Sequence, residues 1–535
     1  MSQPATTIIH HRFISFLLWQ TIQSTLIFTL IKTLILSPFT SPQFLPSFFT
    51  IFSLLTFLFS SLLFSLSLHS LSSPSFRRPA SPSALALGLL RLVFTSNASS
   101  DNGFVSRARV SFGVVVFVCV SGVSGFVGVV SVAGSSCSAS FGAVIGRFGF
   151  RGLVGGLVYG LYCVFCRRFV LVFPIVQRPP FFSYKMGLPS AFKQALSLSV
   201  AFFLFSGVAV WLLPEDHKGR VAGGFFAEQV IYYIGSFAVV LSSELILHLH
   251  KILHTKRFVF APVKGTAAME TNASEPLLAT LEENCSRSLL QYLAYLDLNM
   301  VCGNNIDSWR RASFFEETGE TYKRVVAVCL RPLEQLASKI AEGLESSADN
   351  VNKLSHQLSS PNDIRQSSEI LEAFGDFQLY AWCAQAVASL EVHSHKEDRF
   401  GVAQLSGSHA IVLSTLLGCL LAVETFMGKK INLQSPNHML GPAGIKWATN
   451  STARREIATA MSKKRGSPSH LKSYALADVL KTSIYAIVSE FHDEMLSSAK
   501  LGLLVKDWVS SGKPVYGSVE LLVQKLHFFL NFQAS

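Results

Sequence analysis

Three ionisable residues close a long apolar run: Glu244, His248 and His250, in SELILHLHKIL. An acid beside two imidazoles is the set from which an intramembrane acid-base or metal site is built, and ionisable groups in hydrocarbon are expensive enough to point to function. Lys251 follows directly and places the trio near a membrane interface, where such side chains reach water cheaply. A second group, His393, His395, Glu397 and Asp398, has metal-ligand types but no further His or Cys at zinc spacing, and reads as surface turn chemistry. Cys163 and Cys166 form a CxxC with no second pair, among apolar residues, so no metal is expected there. The sequence has no GxSxG, GxxxxGK[ST], HExxH or DxDxD-like pattern. We therefore expect a protein that is not an enzyme, with no catalytic residue, no cofactor and no metal.

The elements that carry these residues are dissolved in lipid. Half of the 535 residues are hydrophobic, 15% are charged and 44 are Phe, and the mean hydropathy is +0.40, values that exclude an ordinary soluble protein. The nine Cys match no disulfide framework, which suits a reduced, cytosolic exposure of the polar part. A net charge of +12 raises nucleic acid as a partner. No aromatic and basic face accompanies it, and cytosolic loops of membrane proteins collect Lys and Arg, so the bilayer is the expected partner rather than sequence-specific nucleic acid.

About 20 apolar residues cross a bilayer as a helix. Runs that meet or approach this are 13–36, 46–71, 110–133, 152–176, 195–213 and 229–250, predicting six spans within a membrane domain of residues 1–254. The first is read as a permanent span, because no small-residue cleavage site follows it. The linker 37–45 carries no Lys or Arg and suits the lumen, as does the short turn 214–220. Arg77, Arg78, Arg91, Arg107 and Arg109, and later Arg178, Lys185 and Lys193, suit the cytosol, with 84–94 as an interfacial helix. Both termini then lie on the cytosolic or pore side. Gly152, Gly156 and Gly160 fall four apart, either as a ridge for close helix packing or through the general glycine abundance of the region.

After a linker at 255–273, residues 274–535 read as an all-α soluble domain. Ser274 is a plausible N-cap, with Pro276 suited to the first turn. Stripes of apolar residues three or four apart run through 277–298, 322–344 with Pro332 as a likely kink position, and 370–390. Residues 410–423 are apolar but about 14 long, and read as a buried core helix rather than a seventh span. Residues 429–472, with nine Lys and Arg against Glu456, read as a disordered basic loop. Helical segments at 471–496 and 518–532 close the set.

Three stretches of this half resemble one family, the Ndc-type transmembrane nucleoporins of the nuclear pore membrane ring, in a plant-like form. They are QYLAYLDLNMV (Gln291–Val301) followed by Trp309, Arg310, Arg311, Phe314 and Phe315; EDRFGVAQ (Glu397–Gln404); and LKTSIYAIVSEFHDEM (Leu480–Met495). The resemblance covers roughly residues 185–535. It implies an integral membrane scaffold that anchors nuclear pore complexes in the nuclear envelope, supports pore assembly and, through the pore, protein and mRNA transport. It also implies soluble nucleoporin partners, of the Aladin-type WD-repeat and RRM-type linker kinds. Asp297, Arg310, Arg311, Glu397, Asp398, Arg399, Phe400, Gly401, Lys481 and Tyr485 are the motif positions it marks for partner contact or for holding helices together. Phe-Gly pairs occur only singly, at Phe112, Phe141, Phe148, Phe374 and Phe400, so no barrier-forming repeat is present. The competing expectations are a polytopic endoplasmic reticulum transporter or lipid-modifying enzyme using Glu244, His248 and His250, and a general endoplasmic reticulum tether.

Overall fold

A computed structural model describes residues 3–36, 48–75, 102–133, 145–211, 225–262, 273–283, 288–353, 373–428, 468–510 and 512–531. The chain forms two compact units, Met1–Lys256 and Arg257–Ser535. Every named element is helical, and among the described residues the sole β feature is an isolated bridge between Ser73 and Val170. The linker at 37–45, the interfacial helix at 84–94, the turn at 214–220 and most of the basic loop at 429–472 lie outside the described residues.

The first unit contains α1 (Gln3–Leu30, prolonged by a π-helical turn Ile31–Ile35), α2 (Phe48–Leu71), α3 (Asn102–Ala133), α4 (Phe150–Phe165), α5 (Pro180–Trp211) and α6 (Phe225–Thr255). Helix α6 is the centre of the bundle and touches all five others. Its apolar window is 72% buried against 28–39% for α1, α2, α3 and α5, which follows from its inward Gly235, Ser236, Ala238, Ser242 and Ser243. The outer helices leave Leu18, Trp19, Phe52, Phe59, Phe112 and Phe205 more than half exposed. Such rows are unsustainable in water and natural in hydrocarbon.

Small residues set the closest approach in this unit. Helices α3 and α4 meet backbone to backbone: a Cβ on Gly125 would sit 2.3 Å from the Gly152 carbonyl oxygen, and one on Gly156 2.3 Å from that of Ser121. The Gly152, Gly156, Gly160 ridge is therefore a packing surface. Serines facing inward supply polar links that apolar packing alone lacks in lipid. Ser60 donates to the Ser124 carbonyl at 2.7 Å, and Ser124 returns a bond to the Ser60 carbonyl at 3.0 Å, joining α2 to α3.

Two spans differ from expectation. The helix expected over 152–176 ends at Phe165, where the chain turns through Arg167 at φ 52° and then runs without helix to Pro179. Its length, about 24 Å at the usual rise, falls short of the hydrocarbon core. The two arginines that interrupt the apolar run lie in this turn, and Arg168 faces inward to pair with Glu244 on α6. The next helix begins at Pro180, well before the expected 195, and absorbs Lys185 and Lys193. Among the described residues, six helices are long and apolar enough to cross a membrane, five here and a sixth, Ser408–Phe426, in the second unit.

The second unit is an all-helical assembly: α7 (Glu275–Glu282), α8 (Leu289–Gly303), α9 (Ser308–Ala312), α10 (Glu320–Lys353), α11 (Phe377–Glu397), α12 (Val402–Leu405), α13 (Ser408–Phe426), α14 (Pro468–Glu490), α15 (His492–Lys500), α16 (Leu504–Trp508) and α17 (Val519–Leu530). Pro332 lies inside α10 without ending it. Helix α13 packs against α10, α11, α14, α16 and α17. Its window is 78% buried, and Leu413, Leu416, Leu417 and Leu420 are fully enclosed. Each such leucine contributes about 1.5–3 kcal/mol of burial, so its apolar surface is satisfied by protein.

Candidate functional site

Four of the motif residues, Asp297, Arg310, Arg311 and Glu397, form two ion-pair centres of the second unit. The first is Asp297, on the inward face of α8 and fully buried. Its Oδ1 accepts from Arg257 Nε at 2.8 Å, and its Oδ2 from Arg310 Nη2 and the Phe260 amide at 2.8 and 2.9 Å. Arg310 also donates to the Phe260 carbonyl at 2.9 Å, and Arg257 to Asp307 at 2.6 Å. One carboxylate thus clasps α8, α9 and residues 257–260. Burial works to lower Arg257, yet its bonds to Asp307 and Asp297 carry it above the ordinary value. The beginning of the expected 255–273 linker is accordingly held in place, while 263–272 lie outside the described residues.

The second centre is Arg311, 1% exposed, which donates to Glu397 Oε2 at 2.8 Å and to the carbonyls of Cys302 and Asn304 at 3.0 and 3.3 Å. It therefore caps the C-terminus of α8 while fixing the end of α11. The Arg311 guanidinium holds the Glu397 carboxyl below the usual carboxylate range. The next residue, Asp398, accepts from the Phe400 amide at 3.2 Å and the Ala403 amide at 2.8 Å, closing the turn. Gly401 takes φ 66° in that turn, in the left-handed region where a side chain is penalised. Arg399 and Phe400 point outward, Phe400 at 52% exposure, and Leu405 beyond them is 85% exposed.

The EDRFGVAQ stretch thus divides its labour. Glu397, Asp398 and Gly401 shape the corner; Arg399 and Phe400 are what the corner presents. Lys481 pairs with Glu424 at 3.1 Å, and Glu424 also takes Lys525 at 2.8 Å, tying α14, α13 and α17 together. Tyr485 lies one turn along α14 from Lys481, half-buried.

Sequence reasoning passes over one buried polar group. Glu391, Tyr322, Ser408 and His409 form a chain in which Tyr322 donates to Glu391 at 2.9 Å, Ser408 to Tyr322 at 3.1 Å, and His409 Nδ1 faces Glu391. Acid, imidazole and hydroxyl in sequence resemble a proton relay. The His409 ring is closed over by Phe491 and Trp508, at 5.1 and 5.8 Å between centroids, so the chain serves to join α10, α11 and α13. Its members recur 69 and 86 residues apart, a spacing that no local pattern reveals.

The residues first considered for chemistry do not come together. Glu244 is paired with Arg168 and accepts from Tyr159 at 3.0 Å. His248 packs on the backbone of Gly187 and beside Tyr184. His250 turns away from both, toward His254 and His69. In the second group, His393 bonds the Ser389 carbonyl at 2.7 Å, and Glu397 and Asp398 are engaged as above, so no ligand set forms. Cys163 is buried and Cys166 exposed, on different sides of their turn.

Residues 363–497 match the model of the family described as nucleoporin protein Ndc1-Nup. The match contains the EDRFGVAQ corner, Lys481, Tyr485 and α11 through most of α15; the Asp297 centre precedes it. The resemblance to Ndc1-type transmembrane nucleoporins therefore holds on this segment, and it supports a nucleoporin role in a membrane-embedded protein of the nuclear pore. No match to the chain is found among curated proteins.

Proposed function

We propose that this chain is a non-catalytic anchor of the nuclear pore complex: its apolar bundle sits in the nuclear envelope and its helical unit meets soluble nucleoporins while new pores assemble. The observation that carries this reading is the nucleoporin-type segment 363–497 on the same chain as five helices fit to enter a bilayer. The dispersal of Glu244, His248 and His250 into separate contacts favours it over a transporter or lipid-modifying enzyme.

In this reading α13 stays in the core of the second unit, α4 completes the membrane bundle as a short sixth element, and both termini face the cytosol or pore. Arg399 and Phe400 are the contact residues of the motif corner, offering a cation and an aromatic ring beside Leu405, a combination enriched at binding hot spots. The soluble partners are nucleoporins of the Aladin-type WD-repeat and RRM-type linker kinds. Proximity labelling from the C-terminus tests this: enrichment of nucleoporins, reduced by Arg399→Ala with Phe400→Ala, supports it, and labelling confined to endoplasmic reticulum membrane proteins contradicts it.

A further inference from the structure

We propose that His69, His250 and His254 form a binding site for a borderline transition-metal cation of the Zn2+ class, where the C-terminal ends of α2 and α6 meet. Their ligand nitrogens lie within 4.8 Å of one another. His250 and His254 stand one turn apart on α6 with rings stacked at 4.0 Å, and α2 brings His69 to 5.2 Å from His254. Helix α1 closes the group from the side, with Phe13 stacked on His69 at 4.3 Å and Phe16 edge-on to His250 at 5.2 Å.

The hydrogen bonding of His254 is already that of a metal ligand. His254 Nδ1 is 3.0 Å from the His250 carbonyl oxygen and so carries the proton it donates there. That leaves Nε2 as a bare lone pair on a side chain only 1% exposed. This Nε2, and Nδ1 of His69, are buried without hydrogen-bond partners. Buried nitrogens left without a partner are costly, and a metal ion would satisfy both at once. His250 Nε2 has the Ser72 hydroxyl at 3.5 Å. Metal-bound histidines commonly have the other ring nitrogen fixed by a carbonyl, as His254 does.

Three neutral imidazoles with one position left open suit Zn2+ in tetrahedral geometry. Zn–N bonds of that kind place ligand nitrogens roughly 3.4 Å apart, against separations of no more than 4.8 Å here. The end of α6 favours positive charge through its free carbonyls. Arg12 already uses two of them, donating to Leu253 and His254 at 3.2 and 2.9 Å. Its charge weakens the site, which is therefore expected to yield its metal to a strong chelator. The site pins α2 to α6 and is independent of the pore-anchor reading.

The test uses the full chain in nanodiscs, stripped with EDTA and titrated with Zn2+ against a competing indicator, with Co2+ as a spectroscopic probe. The expected result is one Zn2+ per chain and the intense visible bands of tetrahedral Co2+. Affinity should fall at least about tenfold in His69→Gln, His250→Gln and His254→Gln, and stay unchanged in His248→Gln. Absence of saturable Zn2+ binding and of the Co2+ bands in the unsubstituted chain overturns the site without recourse to any variant. So does wild-type affinity in folded His254→Gln.

Discussion

Arg310 grips Asp297 with two bonds, Nη2 to Oδ2 at 2.8 Å and Nη1 to Oδ1 at 3.3 Å, both side chains shut off from solvent. Removing Arg310 leaves the buried Asp297 carboxylate to Arg257 and the Phe260 amide alone, a partial loss of compensation whose upper limit is the roughly 3–5 kcal/mol of a fully broken buried pair. Arg310→Ala in the full chain is expected to lower the midpoint of thermal aggregation sharply. Arg310→Lys should recover part of the loss, since an ammonium cannot bind both oxygens at once. An unchanged midpoint in Arg310→Ala would show that Asp297 does not organise the junction of α8 and α9.

Acid should loosen the EDRFGVAQ corner. The folded-state pKa of Glu397 is depressed by Arg311, so its contribution is complete above the ordinary carboxylate value and is lost as pH falls through the depressed one. Thermal midpoints of Glu397→Gln and the natural chain, followed from about pH 7 to pH 3, should converge at the acid end. A constant gap across that range would show that the pair does not titrate with folding.

Side chains are not tolerated between α3 and α4. Gly156→Ala places a methyl 2.3 Å from the Ser121 carbonyl oxygen, an overpacking expected to cost about 1–3 kcal/mol, and Gly156→Leu more. Protease resistance of the bundle in nanodiscs should fall in that order. Gly146→Ala, with nothing within 4 Å of the added atom, should match the natural chain.

The Arg168 and Glu244 pair separates an anchor from a transporter. Arg168→Met alone strands a carboxylate that is 1% exposed and should reduce the amount of folded chain. Combined with Glu244→Leu, the buried charge disappears with its partner, and yield should return. An anchor keeps its location in the folded double variant. A transporter or enzyme built on Glu244 would lose its activity there, measured as flux or lipid turnover in vesicles.

What could be read before folding was local. The spacing of Gly152, Gly156 and Gly160 offers a contact face as one of two readings, because a helix returns every fourth residue to one side, and the approach of α3 decides between them. The apolar stripes of α8, α10 and α11 are legible for the same reason. Partners distant in the chain are not: Arg168 looks like an interruption of a span until Glu244, 76 residues on, is placed beside it. Likewise nothing near Arg311 announces Glu397, 86 residues away, and His69 gives no sign of His250 and His254. The motif residues were visible as a set, but only the geometry divides Asp398, which closes the turn, from Arg399 and Phe400, which face outward.

The central claim is that half of the chain is embedded so that the other half is held at the pore. Its most direct test is the position of the full chain, labelled at the C-terminus, relative to nuclear pores in intact cells, with antibody access after selective permeabilisation of the plasma membrane. The account predicts punctate labelling at the nuclear rim coincident with pores, and a C-terminus open to the cytosolic antibody. An even spread through the endoplasmic reticulum or plasma membrane, or a C-terminus protected in the lumen, would contradict it.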